Sequence, residues 1–280
     1  MKRKLVLILL LCFSLTLVLG GCGSGENNAE KDPEQEPAQT DTSWEDIKEK
    51  GYFIAGLDDA FPPMGFRDEN NEIVGFDIDL AKEAAKRLGV EVKFQPIVWD
   101  TKGQELDGGN IDVIWNGLTI TPERQEQMLF TKLYIQDRQI IVVTPNSDIK
   151  TKADLAGKKI GIQAASSAQD AVKADTATYE IIKDNLLEFE TNDLALRDLK
   201  GGGVDAVVVD EVVGRYYLAK HEGEYKVLEE NFGVEDFGVG LRLTDSSFRA
   251  ELDKVLDEMK NDGTASEISQ QWFGEDIIKK

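Results

Sequence analysis

The sequence predicts an α/β protein with mainly parallel sheet, and three observations support this fold class. Short apolar runs, many of them rich in β-branched residues, alternate along the chain with segments of helical periodicity. Buried parallel strands have this composition, and a helix between two strands returns the chain to the same sheet. About 238 residues follow residue 42, which is enough for one large domain or two lobes of ordinary size.

The predicted strands are the apolar runs at residues 52–57, 90–97, 111–115, 139–143, 160–163 and 206–209. The clearest helical period contains Phe76, Leu80, Ala84 and Leu88, which are spaced four apart and share one face. A second period runs over residues 248–259. The stretch 264–267 has capping-box spacing before a final helix.

The first 21 residues have the pattern of an export signal. Three basic residues precede a mostly apolar run of about 15 residues, which is shorter than the roughly 20 that a membrane span needs. The residues before Cys22 resemble a bacterial lipobox, so we expect cleavage before Cys22 and lipidation of its thiol. The alternative is an incidental thiol after an ordinary cleavage site. Cys12 lies in the removed segment, so no disulfide is expected.

Residues 22–43 are predicted to form a lipidated, flexible tether, because they are polar and contain few apolar side chains. The net charge is −21, and it becomes about −24 without the three basic residues of the signal. This acidity excludes nucleic acid as an expected partner, since phosphate binding requires clustered Lys and Arg. No cofactor or metal is expected, because the chain has neither HExxH nor Cys/His spacing, and Gly201-Gly202-Gly203 fits no phosphate loop.

Several motifs follow one another in an order that is informative as a set. The first is the stretch 56–66 (GLDDAFPPMGF) with 75–81 (GFDIDLA), and the second is 111–124 (IDVIWNGLTITPER). Further along lie 154–163 (DLAGKKIGIQ) and 203–210 (GVDAVVVD). Together these motifs resemble the polar amino-acid substrate-binding proteins of ABC importers, which are family 3 extracellular solute-binding proteins, over residues 44–273.

The resemblance implies a two-lobed, type II periplasmic-binding-protein-like fold with two mainly parallel sheets, flanked by helices and joined by two hinge strands. We expect the crossings near residues 140–144 and 238–241. Lobe 1 would hold 44–143 and 238–280, and lobe 2 would hold 144–237. The expected partners are a small amino acid, an ABC permease with its ATPase, and the membrane through Cys22, on the extracytoplasmic face. The protein itself is expected to be a monomer.

An amino acid presents a carboxylate beside an ammonium group, so a binding cleft must supply donors to one and acceptors to the other. Arg124 matches the family's carboxylate-binding arginine, and its guanidinium can donate two parallel bonds. Thr119, Ser166 and Ser167 are further candidates for the carboxylate. The alternative for Arg124 is a solvated side chain in a helix that starts at Thr121 and Pro122.

Asp210, the Gly117 carbonyl and the Thr119 hydroxyl are the expected acceptors for the ammonium group. Asp210 follows a strand end, where ligands gather in α/β sheets, although it can instead cap the next helix. Ser166 and Ser167 have the same alternative. Ala165 stands where relatives frequently have glycine.

The ligand side chain is expected to contact Asp58, Phe61, Trp99, Asn116 and Leu118. Phe61 matches an aromatic residue that stacks on the ligand in relatives, whereas Trp99 can equally belong to the core. Asp58 aligns with a pocket acid and favours a cationic side chain, with cystine and other polar amino acids as alternatives.

Two other functions fit the same scaffold. One is an exported enzyme like the cyclohexadienyl dehydratases, which needs a poised acid. The only histidine, His221, has the setting of a solvated helix end. The other is a sensory module that reports the ligand to a receptor instead of a transporter.

Overall fold

The computed structural model of the protein describes residues 41–279. Its helices are α1 (Ser43–Lys50), α2 (Phe76–Leu88), α3 (Lys102–Asp107), α4 (Pro122–Gln127), α5 (Ser167–Ala174), α6 (Thr176–Ile182), α7 (Asn192–Gly201), α8 (Glu211–Lys220), α9 (Ser246–Asn261) and α10 (Thr264–Phe273). None of these helices is long and apolar enough to cross a bilayer. The predicted signal peptide and Cys22 lie outside the described residues.

The strands are β1 (Tyr52–Leu57), β2 (Ala60–Phe61), β3 (Gly65–Arg67), β4 (Ile73–Val74), β5 (Glu91–Pro96), β6 (Val113–Ile114), β7 (Leu129–Phe130), β8 (Ile135–Val143), β9 (Ile160–Gln163), β10 (Leu186–Phe189), β11 (Ala206–Asp210), β12 (Lys226–Phe237) and β13 (Gly240–Leu241). They form two five-stranded sheets and one small antiparallel sheet of β2, β3 and β4. Each predicted apolar run overlaps one strand.

Each large sheet is the centre of one lobe, which confirms the predicted two-lobed α/β fold. The order is β5-β1-β6-β13-β7 in the first sheet and β10-β9-β11-β8-β12 in the second. Both sheets are mixed, because β13 runs antiparallel to β6 and β7, and β8 runs antiparallel to β11 and β12. The antiparallel strands are those that carry the chain out of one lobe and back, so no crossover helix sets their direction.

The first crossing lies earlier than the sequence predicted. Residues 135–143 pair along their length with β11 and β12, so the whole of β8 belongs to the second sheet and not to lobe 1. The chain therefore crosses at 131–134, and it returns at 238–239. The apolar pattern of β8 runs on to Val143, and the punctuation visible in the sequence, Pro145, marks the end of the strand instead of its beginning.

The two crossings are hydrogen-bonded to each other. The Thr131 amide donates to the Val239 carbonyl at 3.0 Å, and the Val239 amide donates to the Thr131 hydroxyl at 2.9 Å. The Tyr134 amide donates to the Phe237 carbonyl at 3.0 Å. These bonds align the two connecting segments side by side, as a hinge between the lobes requires.

The helices of lobe 1 follow the predicted periodicity, with one difference at each end of the chain. Thr264 does not form the predicted capping box, because Gly263 is the N-cap of α10 and the Thr264 hydroxyl accepts from Arg87 at 2.9 Å. Residues 41–43, assigned to the tether, are packed against α9. The Asp41 carboxylate accepts from the Ser246 hydroxyl at 2.7 Å, and the Ser43 and Ser247 hydroxyl oxygens lie 2.9 Å apart.

Candidate functional site

Most of the predicted ligand residues lie between the two lobes, around the carboxyl ends of β1, β6, β9 and β11; Leu118 and Trp99 do not. Two hydrogen bonds between side chains join the lobes there. The Thr119 hydroxyl of lobe 1 donates to Ser167 Oγ of lobe 2 at 2.9 Å. The Gln163 amide of lobe 2 donates to Asp58 Oδ2 of lobe 1 at 2.8 Å. All four side chains are buried, so the structure shows the lobes closed on each other.

Arg124 is buried at the start of α4, and the solvated alternative is wrong. The Thr121 hydroxyl caps this helix by accepting from the Arg124 amide at 3.1 Å, with Pro122 at the first helical position. Arg124 is only 8% exposed, and its guanidinium donates from Nη1 to the Thr119 carbonyl at 2.9 Å. Burial lowers its pKa, and the charges of acidic residues, Asp170 first among them, oppose that effect.

The rest of the Arg124 side chain faces a cavity of about 380 Å³ that Lys102, Ala165 and Ser166 also line. No acid among the described residues lies within ion-pair distance of Arg124. A guanidinium has five N–H donors, and a buried one without an anionic partner is unfavourable. The arrangement therefore suits a bound carboxylate.

The loop after β9 brings Ser166 and Ser167 to the start of α5. The Ser166 hydroxyl donates to the Gln163 carbonyl at 2.8 Å, and neither serine makes a side-chain cap. Ala165 has φ +52°, a left-handed conformation that glycine adopts without strain. Alanine, in place of the glycine frequent in relatives, therefore keeps this loop conformation at some cost in backbone strain.

We expect Ala165→Gly to stabilise the ligand-free protein by about 0.5 to 1 kcal/mol, because relief of left-handed strain exceeds the added entropy of the unfolded chain. Urea unfolding measures this change. The matched control is Ala177→Gly on the exposed side of α6, which we expect to be destabilising by a similar amount. Equal destabilisation by both substitutions would contradict the assignment of strain to Ala165.

Asp210 does not cap the helix that follows it. Asp137 does so, because its carboxylate accepts from the Glu211 amide at 3.1 Å and the Val212 amide at 3.3 Å. Asp210 is thus left buried at the end of β11, where it accepts from the Gln139 amide at 2.9 Å. Burial raises its pKa well above the ordinary range, and the negative charges of Glu235 and Asp137 raise it further. Such a carboxylate needs a cationic partner to ionise at neutral pH.

Gln139 connects the acidic end of the site with the hydroxyl end. Besides Asp210, its amide nitrogen contacts Glu235 and, at 3.3 Å, Ser167 Oγ, whereas its Oε1 has no hydrogen-bond partner among the described residues. An amide nitrogen has two hydrogens, so it cannot satisfy three acceptors at once. An ammonium group has three, and it would fit this set of acceptors better.

The side-chain candidates divide into two groups. Phe61 is buried and faces Gly117, where a Cβ would come within 3.0 Å of its ring. Asp58 is 5% exposed, and burial raises its pKa. Trp99 and Leu118 instead belong to a buried apolar cluster with Leu106. The structure thus packs Leu118 in the core and not along the cleft, and it gives Trp99 mainly a core contact.

Asn116 supports Asp58 from the neighbouring strand. Its Oδ1 accepts from the Asp58 amide at 3.0 Å, while its Nδ2 is buried without a partner among the described residues. Trp115, on the opposite face, packs in the lobe 1 core as predicted.

Asp77 is a buried acid outside the set of predicted ligand residues. Its Oδ2 accepts from the Gly117 amide at 2.6 Å and from the Tyr134 hydroxyl at 3.0 Å. It therefore holds the positive-φ turn at Gly117 against the first crossing. The predicted set also lacks three polar residues at this site, Gln139, Gln163 and Lys102. Gln163 could have been found from the sequence, because it is a polar residue at the end of an apolar strand, where ligands gather.

We expect the ligand-free protein to lose stability as the pH rises from about 4 to about 7, in part because of Asp77. Burial raises the pKa of Asp77 from its ordinary 3.8 to about 7, against the lowering effect of its hydrogen bonds. A carboxyl group whose pKa is raised by folding contributes its full stabilisation below its pKa in the unfolded chain. This contribution is lost as the pH rises through its pKa in the folded protein. Asp77→Asn should reduce this slope in urea unfolding, whereas exposed Asp46→Asn should leave it unchanged. An unaltered slope in Asp77→Asn would contradict the prediction.

A second cavity of about 970 Å³ also lies between the lobes, lined by Phe66, Arg67, Tyr216 and Trp272 among others. Two of its donors are already paired. The Trp272 indole donates to Asp79 at 2.9 Å, and the Arg67 guanidinium donates to the Asn71 carbonyl at 3.0 Å. It is the larger space, but the buried Arg124, which has no acidic partner among the described residues, lines the smaller one. The latter is therefore the better candidate site.

Comparison with known proteins agrees with this geometry. Residues 53–275 match the family described as bacterial extracellular solute-binding proteins, family 3. The L-cystine-binding protein TcyJ of Escherichia coli K12 is 30% identical over 83% of this chain and 86% of its own. The histidine-binding periplasmic protein of Salmonella typhimurium is 34% identical over 79% and 87%.

A crystal structure of an ABC uptake transporter substrate binding protein from Streptococcus pneumoniae with bound histidine superposes with a TM-score of 0.81. Its sequence is 36% identical, and the alignment covers 86% of this chain and 99% of that one. These relatives are binding proteins and not enzymes. The chain belongs to family 3 of the bacterial extracellular solute-binding proteins.

Proposed function

We propose that this protein captures a polar L-amino acid in the cleft between its lobes and delivers it to an ABC permease. One observation carries the proposal. A buried guanidinium, Arg124, and a buried carboxyl group, Asp210, lie on opposite lobes, and neither has an ion-pair partner among the described residues. An amino acid carries the two complementary charges on adjacent groups, so one ligand would pair with both.

In this proposal Arg124, Thr119 and the loop at Ser166 and Ser167 hold the carboxylate. Asp210, the Gly117 carbonyl and the Thr119 hydroxyl accept from the ammonium group. Because these groups come from both lobes, the ligand stabilises the closed form in proportion to its greater affinity for that form. The permease would then distinguish the closed protein from the open one.

We infer that the ligand side chain lies between Asp58 and Phe61. The buried Asp58 carboxylate favours a cationic side chain. Each charge loses hydration in the closed cleft, and the attraction between the two charges offsets that loss. Relatives named for histidine and arginine binding support a cationic ligand. A relative named for cystine binding supports cystine as the alternative.

The test uses the chain from residue 22 onward with Cys22→Ala, unfolded and refolded to remove carried ligand. Its thermal midpoint is recorded against each common amino acid, cystine, ornithine and, for the enzyme alternative, prephenate. A ligand at 100 times its Kd should stabilise the protein by about 2.7 kcal/mol, a shift of about 5 to 10 °C at this size. If none of the amino acids raised the thermal midpoint, the proposal would be overturned.

We also propose that Cys22 carries a diacylglycerol group and anchors the protein to the outer face of the cell membrane, with the residues between Cys22 and Asp41 as the tether. The lipobox-like sequence and the extracellular family support this anchor. Mass spectrometry of the native mature chain tests it. Cys22→Ala should release the protein into the medium, and retention of this variant in washed membranes would count against the anchor.

A further inference from the structure

Lys102 makes a charged contact between the lobes that the proposed ligand set does not include. It begins α3 in lobe 1, and its ammonium group donates to the Trp99 carbonyl at 3.2 Å and to the Ala165 carbonyl at 2.9 Å. Trp99 belongs to the same lobe, but Ala165 belongs to lobe 2. The side chain is only 8% exposed, so this is a buried interlobe hydrogen bond.

The surroundings of Lys102 are unusual for a lysine. Its Nζ lies 4.9 Å from the centre of the Trp99 ring, and it lines the same cavity as Arg124. Burial first, and then the positive charge of Arg124, lower the pKa of Lys102 to about 8, while Asp100 and Asp170 oppose the shift. Two buried cations beside one cavity are unfavourable without an anion, and the ligand carboxylate would supply one.

The acceptor of this bond is part of the binding loop. Ala165 has the left-handed backbone conformation that turns the chain from β9 into α5, and the next two residues are Ser166 and Ser167. A donor held on the Ala165 carbonyl therefore fixes where those two residues lie relative to lobe 1. The bond can exist only when the cleft is closed, since its donor and acceptor belong to different lobes.

We propose that Lys102 is a positioning residue that fastens the loop of residues 163–167 to lobe 1 on closure and adds positive charge beside Arg124. The inference rests on the proposed function for its ligand, but the closing contact is a property of the two lobes alone. Removal of the ammonium group should both weaken binding and open the cleft.

The experiment uses Cys22→Ala protein with cysteines at Glu91 and Ala177, which are exposed in lobes 1 and 2, for a donor and an acceptor dye. No other cysteine remains in the chain from residue 22, so labelling is specific. Energy transfer is recorded without ligand and during titration with the amino acid found by thermal shift. We expect Lys102→Met to weaken binding about tenfold or more and to lower energy transfer in ligand-free protein.

Lys102→Arg should recover most of both effects, because a guanidinium can donate to the same carbonyls. The matched control is Lys152→Met, which removes a lysine that lies over the Phe232 ring and pairs with Asp175 inside lobe 2. Wild-type affinity and energy transfer in Lys102→Met would overturn the inference, as would a lower thermal midpoint with unchanged energy transfer. Should wild type bind no amino acid while Lys102→Met still lowers energy transfer, the proposed function fails and the interlobe contact stands.

Discussion

Arg124→Ala should abolish most amino-acid binding while leaving the fold intact. The guanidinium is buried and donates to the Thr119 carbonyl, so its remaining donors are free to meet the ligand carboxylate. Truncation of one partner of a buried, charged contact costs about 2 to 5 kcal/mol, which is a loss of about 30-fold or more in affinity. Titration calorimetry with the amino acid identified by thermal shift measures the loss.

Two further variants sharpen this test. Arg124→Lys should recover little, because an ammonium group cannot make two parallel bonds to a carboxylate. Arg249→Ala, which removes an arginine paired with Asp253 on α9, is the control and should bind like wild type. Undiminished affinity in Arg124→Ala would remove this residue from the site, and unfolding of the ligand-free variant would assign it a structural role instead.

The second large effect is expected at Asp210, whose charge should make binding depend on pH. Burial first, and then the charges of Glu235 and Asp137, raise the pKa of this carboxyl, whereas Arg124 faces it as a positive charge. The ligand ammonium requires the ionised form. Binding therefore releases a proton, and affinity should rise with pH until Asp210 is ionised without ligand.

Asp210→Asn should lower affinity by about 2 kcal/mol or more and flatten this pH profile. Glu235→Gln should move the profile to lower pH, because loss of a neighbouring negative charge lowers the pKa of Asp210. Calorimetry between pH 5 and 8, in two buffers of different ionisation enthalpy, measures affinity and proton release together. The control is Asp205→Asn, at the exposed opposite end of the same strand. A profile that stays pH-dependent in Asp210→Asn would assign the proton to another group.

The predictions that succeeded rest on local patterns. The fourfold spacing from Phe76 to Leu88 defines α2, and the order Thr121-Pro122 defines the start of α4 in both sequence and structure. A local pattern also placed Arg124 in the first turn of α4 and Asp210 at the end of a strand. These features depend on neighbours within a few residues, and such neighbours are visible in the sequence.

The predictions that failed concern choices between partners that are distant in sequence. The alternative role of Asp210, as the cap of α8, is the one that failed, because the cap is Asp137, which comes from a strand about 70 residues earlier. Leu118 lies in the binding motif, yet its side chain packs in the lobe 1 core. The end of lobe 1 was placed at Val143, because nothing in the apolar pattern of β8 marks which sheet it joins.

The sequence by itself thus determined the α/β class and the family, and it nominated the charged residues of the proposed site. Only the tertiary structure decided that Asp137 leaves Asp210 uncapped, that Gln139 reaches three acceptors, and that Lys102 joins the two lobes at Ala165. The physical reason is that a hydrogen bond or a buried charge depends on which groups share the same few ångströms once both lobes are folded and closed. Residue type and spacing fix what a side chain can do, whereas the packing of distant segments selects its partner.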